Sequence, residues 1–157
     1  MRLADKLQEW CDSLGWEDVE MERDEDKKTS RINTSYNISN QAFSLWIETD
    51  EKRQWILLYL YAPFHVMPEK KMELAMVLNV INSNSMPGHF SFVNDGRIRY
   101  QHIIDVEDTD PSMEMISNLL RAADMLFEKN FNNIIAVALS DKTAEQILDE
   151  LKASLSK

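Results

Sequence analysis

The chain has one cysteine, three glycines and no long apolar run, and each shortage removes a class of protein. Loops that cradle phosphates cluster their glycines. Gly15, Gly88 and Gly96 stand far apart, so the dinucleotide and P-loop fingerprints are absent. Cys11 has no second cysteine with which to form an internal disulfide. It falls on the apolar stripe of a helical segment and reads as a buried, inert thiol rather than a nucleophile. No apolar stretch approaches the ~20 residues of a membrane span. The opening MRLADKLQEWCDSLG is amphipathic and charged, unlike the continuous apolar core of a signal peptide. These features point to the cytoplasm. Concentrated positive charge is missing too. Lys27-Lys28 and Lys70-Lys71 each sit beside acidic residues, and the formal net charge is -10 with a pI near 4.7. Nucleic-acid binding and docking to an anionic membrane are not expected, because both need a clustered basic face. No serine stands in a nucleophile-elbow context.

What is present is an ordinary globular composition: 157 residues, 44% of them apolar. We expect a single domain over residues 1–157 with a real core, residues 141–157 forming an additional C-terminal helix. Leu3, Leu7, Trp10, Cys11 and Leu14 recur at helical spacing, with Gly15 as a stop. After charge-rich Glu17 to Lys28, Val19 and Met21 alternate weakly, as in a short edge strand. Ile32, Thr34, Tyr36 and Ile38 alternate clearly, as do Phe43, Leu45 and Ile47, so both segments read as strands. TDEKRQ makes a turn. WILLYLY, Trp55 to Tyr61, is apolar on both faces, so it reads as a central strand covered by helices on one side and by something else, such as a second subunit, on the other.

Pro63 and Pro68 bracket a crossing loop, and Pro68 suits the first turn of a helix. There Leu74, Val77, Leu78 and Ile81 form the apolar stripe, widened by Met72, Ala75 and Met76. NSNSMPG ends that helix. In the hairpin that follows, a three-residue Asn94-Asp95-Gly96 loop sets Val93 against Arg97, Phe92 against Ile98 and Phe90 against Tyr100, all apolar side chains on one face. A two-residue loop would set Phe92 against Arg99 instead. Asp110-Pro111 opens a long helix whose apolar residues run from Ile116 to Ala138, with Asn130, Asn132 and Asn133 as weak points for a kink. Ser140 or Asp141 caps a last helix carrying Ala144, Ile147, Leu148, Leu151 and Leu155. The expected order is α-β-β-β-α-β-β-α-α, an α+β fold with an antiparallel sheet.

Catalytic groups are not expected, nor is a cofactor or a resident metal. His65, His89 and His102 are the only histidines. His89 and His102 would face each other, and share a metal, only in the rejected two-residue hairpin register. Asp105, Glu107, Asp108 and Asp110 have the composition of a calcium loop but lack its glycine and terminal glutamate. Two features invite a partner. The helical methionines Met72, Met76, Met113, Met115 and Met125 are either core filling or an adaptable apolar surface. Trp46, Trp55, Tyr59 and Tyr61 lie either under helices or on an open face. We take Trp46, Trp55, Tyr59, Tyr61, Met72 and Met76 as candidate partner-binding residues.

From Glu69 to Leu139 the helix ending LNVINSNSMPGHFSFV, the NDGRIRYQHIIDV hairpin and the DPSMEMISNLLRAADMLFEKNF helix together resemble the YbjN domain family. The resemblance implies a sensory-transduction regulator with no catalytic residues to transfer, and a fold similar to type III secretion chaperones, small acidic proteins that commonly dimerise. The expected function is a non-enzymatic protein-interaction module: a homodimer that binds a protein segment through strand edges or an apolar helix-and-sheet surface. The alternatives are a chaperone dedicated to one secreted protein and a small metal-assisted enzyme using His89 and His102.

Overall fold

In the computed structural model, which describes residues 1–84 and 87–155 with side chains to 153, six antiparallel strands form one sheet in the order β1-β2-β3-β4-β6-β5. The strands are β1 (Met21–Asp24), β2 (Thr29–Ile38), β3 (Gln41–Asp50), β4 (Trp55–His65), β5 (His89–Phe92) and β6 (Arg97–Asp105). The helices are α1 (Arg2–Ser13), α2 (Lys71–Ser83), α3 (Met113–Leu139) and α4 (Ala144–Leu155). The weakly alternating segment near Met21 is a true edge strand, so the order carries one more strand than α-β-β-β-α-β-β-α-α.

Alternation decides which face of the sheet is covered. Ile32, Leu45, Ile47, Ile56, Leu58, Leu60, Ile98 and Tyr100 are fully buried and share one core with Leu3, Leu7, Leu74, Val77, Ile116, Phe127 and Ile134 of the helices. At its centre the Phe127 ring lies 4.8 Å from Phe43 and 4.9 Å from Phe90, so one α3 side chain joins two distant strands of the sheet. Edge-to-face aromatic pairs add to the burial energy. The α3 helix runs uninterrupted through the asparagines for about 40 Å. Asn130 is buried and donates its side-chain N–H to the Leu126 carbonyl, which satisfies it inside the helix.

Local signals place the turns. The β2–β3 hairpin closes on Ser39 and Asn40 at φ +48° and +63°, the two-residue turn whose twist matches the strands. The β5–β6 hairpin has the three-residue loop: Phe92 faces Ile98, Phe90 faces Tyr100, and Gly96 sits at φ +87°. Gly88, at φ +80°, lies against the Tyr100 ring and the Gln101 carbonyl, where a Cβ would collide.

Several local expectations give way to tertiary context. β4 continues through Pro63 to His65, because the irregular pairing between Tyr61 and His65 absorbs a residue without an N–H. β3 runs through Thr49 and Asp50, leaving residues 51–54 as the turn. The α3 cap is Ser112, whose Oγ accepts from the Met115 N–H, rather than Asp110. The α4 cap is Thr143 rather than Ser140 or Asp141: Thr143 Oγ1 accepts from the Gln146 N–H while Gln146 Oε1 accepts from the Thr143 N–H. Leu14 lies past the end of α1 and is exposed. Ser85 and Met86 of the NSNSMPG turn, and the Leu155 side chain, lie outside the described residues.

Two glutamates stitch separate elements together. Glu51, in the β3–β4 turn, accepts from the Leu3 and Ala4 N–H groups at the start of α1 (2.6 and 3.2 Å). Glu73 of α2 accepts from the Ala144 N–H at the start of α4 (2.7 Å) and pairs with Lys70 at 3.0 Å. Each carboxylate satisfies N–H groups that a helix start leaves open and suits the positive end of its dipole.

The two ends of the sheet differ. At the β5 edge the Asn82 side chain acts as an artificial strand: its Oδ1 accepts from the Phe90 N–H (2.7 Å) and its Nδ2 donates to the Phe90 carbonyl (2.9 Å). That closes one edge against further pairing. Asn82→Ala is expected to destabilise the protein by about 1–3 kcal/mol, because both Phe90 groups lose their partner. Asn82→Asp, which keeps the acceptor and loses the donor, should fall between the two in a urea titration. A variant as stable as the parent would show the clamp to be dispensable.

Candidate functional site

The face of the sheet opposite the helices bears no helix among the described residues and is built from the residues that alternate with the core. Trp46 on β3 sits directly opposite Tyr59 on β4, and Tyr59 opposite Gln101 on β6. One row away, Tyr61 is opposite Arg99, and Arg99 is opposite Ser91. The sequence left open whether Trp46, Trp55, Tyr59 and Tyr61 lie under helices. All four are on this open face, half-buried only by their neighbours along it.

Each of the four aromatic rings carries an arginine. The guanidinium carbon of Arg31 lies 4.9 Å from the Trp46 ring centre, Arg53 5.5 Å from Trp55, Arg97 4.8 Å from Tyr61 and Arg99 5.0 Å from Tyr59. An arginine over a ring shields the apolar face from water and keeps its own fork of donors outward. Three of the four are also tied to acids: Arg31 to Glu22, Arg53 to Asp50 and Arg97 to Asp95. Arg99 forms no salt bridge among the described residues. Its Nε and the Oγ of Ser91 opposite are both buried without a hydrogen-bond partner. Burial of the Tyr59 ring, with Glu48 nearby, pushes its phenol above the usual value. Leu57, half-buried, and Ile103, 41% exposed, extend the apolar part of the face, and Glu48 and Gln101 border it.

The other two candidate residues form a separate group. Met72 and Met76 are 77% and 56% exposed on α2 and do not widen its buried stripe, which is Leu74, Val77, Leu78 and Ile81. Met113 and Met125 of α3 are also exposed, and Met115 packs against the core. The helical methionines are therefore mostly surface. The arginines over the rings were not singled out from the sequence. Arg53 lies only two residues before Trp55, a local signal, but Arg31, Arg97 and Arg99 each meet an aromatic one strand away, and that becomes readable only once the strand register is known.

The groups suited to chemistry are scattered. Cys11 is buried, and burial pushes its thiol up to about 11, which leaves it protonated and unreactive at neutral pH. His89 pairs opposite Gln101, so it lies on the open face while His102 lies on the helix face. A shared metal between them is geometrically excluded. Among the described residues no three His, Cys, Asp or Glu side chains converge on a metal-sized site. No helix among them is long and apolar enough to cross a membrane.

A comparison with family models matches residues 3–136 to YbjN, described as "Putative bacterial sensory transduction regulator". The matched span ends before α4. No curated protein matches the chain. Among solved structures, the crystal structure of YbjN from E. coli, itself described as a "putative transcription regulator", aligns with a TM-score of 0.53 at 16% identity, covering 83% of this chain and 92% of that one. A chain of the HopA1–SchA chaperone–effector complex aligns at 0.48 and 18% identity, covering 78% and 88%. A chain of the ExsC–ExsE complex aligns at 0.49 and 13% identity, covering 82% and 96%.

His102 yields a pH prediction. Its Nδ1 is buried without a partner, and desolvation holds its pKa below the ordinary 6.5. Below that value the unfolded chain binds a proton that the folded chain resists, so stability is full above about pH 6.5 and declines as the pH falls through it. Urea midpoints between about pH 7.5 and 5.5, above the carboxylate range, should decrease in the parent and stay nearly level in His102→Gln. Equal slopes in the two proteins would show that another group is responsible.

Proposed function

The chain belongs to the YbjN family, and on that premise we propose that it is a non-enzymatic protein-interaction module of the bacterial cytoplasm, acting as a homodimer and holding a segment of a partner protein on the open face of its sheet. The observation that carries this reading is the group of four aromatic rings, each under an arginine, on a face that no helix among the described residues covers. Aromatic residues and arginine are the side chains that most often dominate the energetics of protein interfaces. Held in register on a rigid sheet, they lose little conformational freedom on binding.

The unpaired Arg99 Nε and Ser91 Oγ favour a segment that brings acceptors, either side-chain carboxylates or main-chain carbonyls. The rings beside them favour apolar side chains. The whole chain acts as one domain in this reading, with α4 an appended helix locked to α2 through Glu73. The exposed Met72 and Met76 offer a second, more adaptable contact.

Affinity capture from the source organism with the parent and with the Trp46→Ala/Tyr59→Ala variant tests the site. The expected result is a partner enriched by the parent and reduced at least ~10-fold with the variant, since truncating a central aromatic typically costs more than 1 kcal/mol. Both residues are outside the core, so the variant should keep the parent's circular dichroism. The same partners in the same amounts would refute the open face as the site. One stoichiometric partner that loses solubility without this protein would identify a dedicated chaperone; several soluble partners would identify a regulator.

A further inference from the structure

We propose that the free edge of β2, residues 33–37, pairs antiparallel with the same edge of a second copy of this chain, joining two sheets across a two-fold axis at Ser35. The inference deepens the homodimer reading above and names its surface. It starts from an asymmetry between the sheet ends. Asn82 occupies the β5 edge, but β1 is only four residues long and pairs with β2 from Thr29 to Ile32. Beyond Ile32 no strand among the described residues lies on that side of β2.

The hairpin geometry tells which groups are left over. Ile38 and Gln41 flank a two-residue loop and therefore form a hydrogen-bonded pair. Counting back by twos, Ile38, Tyr36 and Thr34 direct their N–H and C=O to β3, and Asn37, Ser35 and Asn33 direct theirs to the open edge. Unpaired groups in such a row are a template for another strand.

The occupant follows from two properties of the segment. First, Ile32-Asn33-Thr34-Ser35-Tyr36-Asn37-Ile38 reads nearly the same in both directions about Ser35. Antiparallel pairing about that residue sets Asn33 of each copy opposite Asn37 of the other, Thr34 opposite Tyr36, and Ser35 opposite itself. Every outward N–H and C=O meets its mate, as an isologous interface requires. Second, a chain of net charge -10 repels its own copies, yet no charged residue occurs from Ile32 to Ile47. This charge-free hairpin is where two copies approach with least repulsion, and natural edges that must stay single usually carry a charge.

Sedimentation and three variants test the pairing. At hundreds of micromolar the parent is expected to run at twice its 18.3 kDa. Ser35→Glu sets two carboxylates against each other at the axis and should raise the dimer dissociation constant on the order of 100-fold or more. Ser35→Pro removes an outward N–H without touching the β2–β3 pairing and should weaken the dimer as well. Ser35→Cys should give a covalent dimer under mild oxidation, Cys11 being buried, and keeps the test open should the other two fail to fold. A monomeric parent at these concentrations overturns the homodimer itself, including one whose β2 amides are protected from exchange only when an extended partner peptide is added. A dimer unaffected by Ser35→Glu, or a Ser35→Cys variant that does not crosslink, overturns only the edge assignment. Neither outcome bears on whether the aromatic face captures a partner.

Discussion

One layer of helices can cover only one face of a sheet, and the rest of this structure follows from that constraint. Phe127 sits where the helical layer meets the sheet, touching Phe43 from β3 and Phe90 from β5, so α3 must cross the sheet to satisfy both. Once α3 and its neighbours α1 and α2 bury the Ile56-Leu58-Leu60 side of β4, no helix among the described residues covers the Trp55-Leu57-Tyr59-Tyr61 side. The arginines partly meet that deficit. Spread over apolar rings, their guanidinium groups screen the face from water while keeping it able to bind. The surface most suited to a partner is therefore a by-product of how the core is made.

The same economy governs the edges. A sheet that is not closed into a barrel has two edges, and an open edge is an aggregation hazard unless it is blunted or used. The β5 edge is blunted by an asparagine at the end of α2. The β2 edge is covered only over its first four residues by β1, and the remainder stays open and uncharged. The aromatic face and the open edge thus fall on adjoining parts of one sheet. The helical layer, held by Glu51 and Glu73 across long sequence separations, keeps both in place.

Some of this was legible in the sequence because the signal was local. The β5–β6 register follows from four apolar residues and one Asp-Gly step, since only one loop length puts Phe90, Phe92, Ile98 and Tyr100 on one face. The same register separates His89 from His102. Other features hid for equally physical reasons. Met21 to Asp24 shows only weak alternation in a charged stretch, and its strand is fixed because β2 offers it backbone groups. Pro63 looked like a stop, but a bulge accommodates it. Asp110-Pro111 had the composition of a cap, yet Pro111 is buried and the helix begins at Ser112. Met72 and Met76 fit the periodicity of α2, but the layer beneath is only one stripe wide.

By itself, the amino-acid sequence determined the α+β class, the β5–β6 hairpin and the long helix, because each depends on spacing or composition within a few neighbouring residues. Only the tertiary structure decided which face of β4 is open, that Arg31, Arg53, Arg97 and Arg99 each cover an aromatic ring, and that one sheet edge is closed while the other is free. Apart from the local Arg53–Trp55 contact, those outcomes depend on side chains brought together from separate strands, and on a core whose described helices all lie on one side of the sheet.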